Sequence, residues 1–337
     1  MRRAMTLAAL LLTLSACTSM APVSSAPGNP PPVSRVIVFI LENQDYDTVT
    51  NTVTKNAIFK QLAAGGALFT NAHGWTHPSY PNYLALVSGD THGALQDVPQ
   101  LDLPLASSIA DALEAKGKTW KNYAQAYPGA PGQCAYEPPY YETVRYVRRH
   151  VPFLSFQNIQ KKQGRCENIV DAVREFDPYV ATPADRAALK RRLPDFSFYS
   201  PDMCNSGHGS TRGSEDGSKD CPFTQHAKNA DKLEAIEAWL GQIVLPLLSD
   251  PVFMDGTLVI VTFDEPEERG LLAVLFPRNH VRKHPIWTAF FGPMVKTIAV
   301  PDDIDHYTVL RTIEWVLRID PFGENDRKRT PIGTIWK

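Results

Sequence analysis

The chain has 337 residues, of which 43% are hydrophobic and 21% charged, and it carries a formal net charge of −2. That length and apolar content suit a sizeable buried core, and the missing basic excess excludes a nucleic-acid binder that works by neutralising phosphates. Beyond the amino terminus no stretch is apolar for long enough to span a bilayer as a helix.

Arg2 and Arg3 precede the apolar run from Leu7 to Leu14, and Ser15-Ala16-Cys17 follows. This is the layout of a secretory leader. Leu14-Ser15-Ala16-Cys17 also resembles a lipobox, so residues 1–16 are expected to be removed and Cys17 to be lipidated. Export to the periplasm, outer membrane or cell surface would follow, with Cys17 the only membrane attachment. Loss of Arg2 and Arg3 with the leader would move the formal charge from −2 to −4. Residues 17–34, rich in Pro, Ser and Ala, read as a tether. No second linker of that kind follows, so 35–337 is expected to be one domain.

Val36 to Leu41 is an unbroken apolar run rich in β-branched residues, the pattern of a strand buried on both faces. It ends in Glu42-Asn43. Lys55 to Ala64 predicts a helix stopped by Gly65-Gly66, and Ala67 to Thr70 a short strand. Ser79 stands just before a helix start, with Pro81 in the first turn and Gly89 at the end. Leu105 to Ala115 predicts a helix with Leu105, Ile109 and Leu113 inward, and Thr119 to Tyr123 a strand.

Residues 127–192 are the least regular part and suit an insertion over the sheet's edge or mouth. Phe196 to Ser200 returns to strand character and runs into a loop carrying Asp202, Asn205 and His208. Thr224 to Leu240 predicts an amphipathic helix. Thr257 to Phe263 is a second buried strand, ending in Asp264-Glu265, and Trp287 to Phe291 another. A helix opens at Asp305-His306. Strands alternating with helices predict an α/β layered sandwich around a mainly parallel sheet.

Cys134, Cys166, Cys204 and Cys221 are an even set, which suits disulfides in an oxidising compartment. Three pairings are open, and the sequence-local one, Cys134–Cys166 with Cys204–Cys221, is expected. No CxxC pair supports a zinc tetrathiolate.

Ligands of open α/β sheets bind beyond the carboxyl ends of the strands. Glu42 and Asn43 after one strand, and Asp264 and Glu265 after another, would converge there as an oxygen-rich cradle for a divalent cation. Ser79, at a helix amino terminus suited to an anion, would complete that shell as a nucleophile. Oxygen ligands suit Mg, Mn or Ca; added histidine would favour Zn or Fe. His77, His208 and His306 lie beside these motifs and could hold phosphate oxygens or protonate a leaving group, with protonated rings favouring an acidic optimum. His73, His92, His150, His226, His280 and His284 have no motif support and read as surface or structural. Neither a GxxxxGK phosphate loop nor a G-x-S-x-G elbow is present.

Together, Glu42-Asn43 with Tyr46-Asp47, His77-Pro78-Ser79-Tyr80-Pro81-Asn82-Tyr83, Thr262-Phe263-Asp264-Glu265 and Asp305-His306-Tyr307 resemble the bacterial phosphoesterase family of acid phosphatases and phosphatidylcholine-type phospholipases C. That family belongs to the alkaline-phosphatase-like superfamily. The resemblance implies a three-layer α/β/α sandwich, Glu42, Asn43, Asp264 and Glu265 as metal ligands, and Ser79 as the nucleophile that becomes a phosphoserine. The short chain and the HPSYPNY form are closer to the acid-phosphatase branch, so the expected activity is hydrolysis of small phosphate monoesters. Phospholipase C action on phospholipid diesters is the alternative, and a non-catalytic surface lipoprotein a further one. Gln44-Asp45 and Pro266-Glu267-Glu268 depart from the family pattern, where a difference in substrate choice would lie.

Overall fold

The computed structural model describes residues 28–337 apart from 138, 140–141, 211–220, 222 and 269. The expected leader, Cys17 and most of the expected tether lie outside the described residues.

Nine strands form one sheet: β1 Arg35–Leu41, β2 Ala67–His73, β3 Trp120–Ala124, β4 Ile169–Asp171, β5 Phe196–Ser200, β6 Thr257–Phe263, β7 Ile286–Phe291, β8 Ile298–Val300 and β9 Ile304–Asp305. Their order is β4-β3-β5-β1-β6-β7-β2-β8, with β9 paired to β2. β1 lies between β5 and β6, parallel to both, and its six residues from Val36 to Leu41 are buried. The mainly parallel sheet is therefore as expected, with one exception. β7 runs antiparallel to β6 and to β2. Its start therefore lies at the same edge as the carboxyl ends of its neighbours.

Side-chain alternation along a strand assigns the helical layers to the two faces. Phe198 meets Tyr83 of helix α1, Ser79–Ser88, at 6.2 Å between ring centroids. Its neighbour Tyr199, pointing the other way, meets Trp239 of helix α2, Asn229–Leu248, at 5.5 Å. Two short helices, α3 Gly270–Leu275 and α4 Pro277–Lys283, fill the link between β6 and β7. The last long helix, α5 His306–Val316, packs on α1. The result is an α/β/α sandwich.

Three helix starts differ from expectation, the one predicted from Lys55 beginning at Ile58. The helix predicted from Leu105 begins at Ile109, because Asp111 Oδ2 accepts the Ser108 N–H at 2.9 Å and caps the chain there. Leu105 lies outside it, 96% exposed. α2 begins at Asn229 rather than at Thr224, whose carbonyl closes a turn with the Ala227 N–H at 2.9 Å. Cys134–Cys166 and Cys204–Cys221 are both paired, and the second bond braces the loop that carries His208.

α5 also contributes Glu314 to a buried acid pair with Asp326, which lies beyond the helix. Glu314 faces Asp326, and burial, followed by the contact with Asp326, pushes its carboxyl from 4.5 up to about 9. Its proton stays on in the folded chain and is lost in the unfolded one, so stability should fall as pH rises from about 4.5 towards 9. Glu314→Gln is expected to flatten that slope in melting curves across the interval, and an unchanged slope would refute this assignment.

Candidate active site

Pairing register brings the first two motifs together. β1 and β6 run in step to Leu41 and Phe263, so the next rung sets Glu42 beside Asp264. The Asp264 N–H donates to Leu41 O at 2.9 Å and the Asn43 N–H to Asp264 Oδ1 at 3.0 Å. Asn43 makes the turn at φ 56°, a left-handed backbone that asparagine tolerates better than most residues. Its side chain then donates to Glu42 Oε2 at 3.0 Å.

β2 supplies the third motif from the far side of β7. After His73 the chain passes Gly74, where a Cβ would sit 2.7 Å from Asp264 O; only glycine permits that approach. Asn82 Oδ1 accepts the Trp75 and Thr76 N–H groups at 2.7 and 3.2 Å, while its Nδ2 donates to Glu265 Oε2 at 3.0 Å. The loop is thereby tied to the site. Ser79 opens α1 with its Oγ 3.2 Å from Glu42 Oε2 and 3.4 Å from Glu265 Oε1. The Tyr83 hydroxyl, one turn on, donates to Glu42 Oε1.

The five residues nominated as a cation shell thus stand together, and the nominated histidines stand around them. His77 Nδ1 lies 3.2 Å from Glu265 Oε2, and its Nε2 lies 3.0 Å from His280 Nδ1. His208 donates from Nδ1 to Gly209 O at 2.9 Å, which leaves Nε2 as an acceptor. His306 donates from Nε2 to Asp264 O at 2.5 Å, so it holds the end of β6 from behind.

Two histidines read as structural belong to this constellation. His150 stacks on Tyr83 with centroids 4.9 Å apart and places Nε2 3.2 Å from Glu42 Oε1. It arrives on a short 3₁₀ turn, Arg148–His150, inside the irregular stretch. No periodicity or strand end marks it in the sequence. His280 is the partner of His77, and only its place before the buried strand β7 hints at that.

A cleft of ≈ 520 Å³ opens over Ser79, with Asn43, Asp97, His208, Lys232 and Glu265 among its lining residues. That size takes a small ligand. Burial sets the site's electrostatics. Desolvation first, then the charge of Asp264, holds Glu42 and Glu265 well above the carboxylate range, and desolvation pushes Asp264 up to about 7. The same cause lowers His77, His208 and His306 to about 4 and His150 well below 6.5. The expected imidazolium groups are therefore neutral over most of the acid range. Among the described residues, fixed positive charges near the cleft come from Lys232 and from Arg149, whose Nε lies 3.3 Å from Asp97 Oδ2.

These residues fit a divalent cation. Three carboxylates are buried around one hydroxyl, and Asp264 Oδ2 is enclosed with no hydrogen-bond partner among the described residues. Such a group demands a counter-charge. Glu42, His150 and His208 form a further set with ligand atoms all within 4.8 Å of one another. His150→Ala is expected to weaken divalent-cation binding about 10–100-fold, read by calorimetric titration. Unchanged affinity would reduce the ring to a packing role.

A family model described as "Phosphoesterase family" matches residues 51–319. A probable acid phosphatase of Kluyveromyces lactis is 29% identical over 299 residues, 87% of this chain and 60% of the yeast protein. An acid phosphatase of Aspergillus fumigatus is 30% identical over 81% of this chain and 52% of its own length, so this chain spans about half to three-fifths of those fungal proteins. A phosphatidylinositol-3-phosphatase of Mycobacterium tuberculosis is 26% identical, covering 91% of this chain and 84% of its own. Among solved structures, an alkaline phosphatase superfamily protein of Vibrio parahaemolyticus superposes with a TM-score of 0.57 at 14% identity, covering 89% of this chain and 72% of its own. That likeness concerns the fold. With residues 51–319, most of its length, matched, the chain belongs to the phosphoesterase family.

Proposed function

We propose that this protein is a metal-dependent phosphomonoesterase that works through a phosphoserine at Ser79. The observation that carries this reading is the Ser79 hydroxyl, at the first turn of α1, facing Glu42 Oε2 and Glu265 Oε1 at 3.2 and 3.4 Å beneath an open cleft. A divalent cation held by Glu42, Asn43, Asp264 and Glu265 would make the hydroxyl easier to ionise and offset phosphoryl charge. The helix amino terminus at Ser79 favours an anion in the cleft. Lys232, in the cleft wall, adds a positive charge for phosphate oxygens. The Ser79 proton would pass to Glu42; Ser79 Oγ then bonds to phosphorus as the bond from phosphorus to the ester oxygen breaks, and the departing alkoxide takes a proton from solvent to leave as the alcohol. His208, neutral and with Nε2 free to accept, is placed to take a proton from the water that later hydrolyses the phosphoserine.

The names of the fungal relatives support phosphate monoesters as substrates. The mycobacterial relative, matched over 84% of its length, supports a second reading in which the monoester belongs to a lipid. Phosphate release from p-nitrophenyl phosphate, set against diglyceride release from lecithin, tests the proposal. Diglyceride without phosphate release would replace it with a phospholipase C. Export and lipidation at Cys17 stand as a separate proposal, tested by the mass of the mature amino terminus.

A further inference from the structure

The link between β6 and β7 starts at the mouth of the site. Because β7 runs antiparallel to β6, the link begins and ends at the same edge of the sheet. Glu267 and Glu268, at its start, line the cleft. α3 follows at once, and its polarity is inverted. Ala273 faces inward and is fully buried, whereas Leu271, Val274 and Leu275 are 71, 62 and 56% exposed, with Phe276 beside them at 54%. Positions i, i+3 and i+4 share one helix face, and here that face is apolar and turned to solvent. Contiguous exposed apolar groups beside a site mark an interaction surface.

The charges around this face indicate its partner. Residues 270–284 contain Arg278, Arg282 and Lys283 and no Asp or Glu. Arg282 is tied to Asp303 at 2.9 Å. Arg278 lies over the Trp75 ring at 4.7 Å and is exposed, as is Lys283. An apolar helix face rimmed by a basic belt and an indole is the composition of a segment that lies in a lipid interface. A symmetric contact between two copies would bring two positively charged surfaces together; an anionic bilayer complements them.

We infer that α3 and the start of α4 dock this protein on an anionic phospholipid surface, with the mouth of the cleft facing the headgroups. The docking deepens the phosphoesterase reading, on which its consequence rests: the substrate class presented to Ser79 would be phosphate monoesters of membrane lipids.

The test uses the full chain carrying Cys17→Ser, so that no acyl chain contributes. Sedimentation with vesicles of phosphatidylcholine, alone or mixed with phosphatidylglycerol, reads the docking. Binding is expected to the mixed vesicles, to survive Ser79→Ala, and to weaken at least about tenfold in Leu271→Ser/Leu275→Ser/Phe276→Ser. The triple variant should keep its melting temperature and its turnover of p-nitrophenyl phosphate, while losing turnover of phosphatidic acid held in vesicles. Equal binding by wild type and triple variant, or no binding by wild type, would overturn the docking. So would a wild-type dimer in sedimentation velocity that the triple substitution dissociates, which would assign the face to a second copy. Failure of wild type to hydrolyse p-nitrophenyl phosphate would instead overturn the catalytic reading, since vesicle binding is scored separately and without Ser79.

Discussion

Ser79→Ala is expected to lower kcat for phosphate monoesters by at least about 10³-fold, about 4 kcal/mol of lost transition-state stabilisation, as follows when a nucleophile is removed. The hydroxyl is buried against Glu42 and Glu265, and neither chain neighbour offers a substitute nucleophile at the helix start. Pro78 precedes it and Tyr80 follows, with the Tyr80 hydroxyl bonded to Ser155 at 2.6 Å. Acid quenching during turnover should trap phosphate on Ser79 in wild type and on no residue in the variant, read by peptide mass spectrometry. A Ser79→Ala protein that hydrolyses p-nitrophenyl phosphate as fast as wild type would end the phosphoserine mechanism.

The second large effect concerns the cation and pH. Glu42, Asp264 and Glu265 are all held above their usual range, Asp264 at about 7, with burial the first cause for each. For carboxyls so raised, the metal-free fold binds more protons than the unfolded chain between the unfolded and folded values. Their contribution to its stability is therefore greatest in acid and declines as pH rises through neutrality. A bound cation supplies the missing counter-charge, so its stabilisation should grow from pH 5 to pH 8. At a free ion concentration about 100-fold above Kd the gain is about 2.7 kcal/mol, a rise of several degrees in Tm. Asp264→Asn is expected to raise the Tm of the chelated protein at pH 8 and to abolish the response to added metal. Scanning calorimetry with and without chelator at both pH values checks it. A metal response that is equal at pH 5 and pH 8 would show that these carboxylates are not its source.

Much of the site was legible because its residues follow recognisable elements. Glu42-Asn43 and Asp264-Glu265 each terminate an apolar run that has few options other than a buried strand, and Ser79 precedes a helix marked by Pro81 and Gly89. His150 carried no such mark. It reaches Glu42 from a 3₁₀ turn in a stretch without periodicity, so only the packing of its ring on Tyr83 reveals its place. Lys232 was equally silent, one polar residue among many on α2 until the cleft formed around it. The exposed face of α3 is a different case. Its residues are apolar, yet Leu271, Val274 and Leu275 face solvent, which only the folded chain reveals.

Local pattern was enough to identify the long buried strands and the class of fold, because burial acts on neighbouring residues; the short strands β4, β8 and β9 and several helix starts carried no such mark. Direction and register were not local. They arise from hydrogen bonds between strands more than 200 residues apart, such as Leu41 with Phe263. That rung places Glu42 beside Asp264, and the reversed β7 starts from the edge of the sheet at which the cleft opens. The two motif pairs could be written down from the chain, but their meeting, and the histidines and the lipid-facing helix gathered around them, depend on how the sheet was assembled.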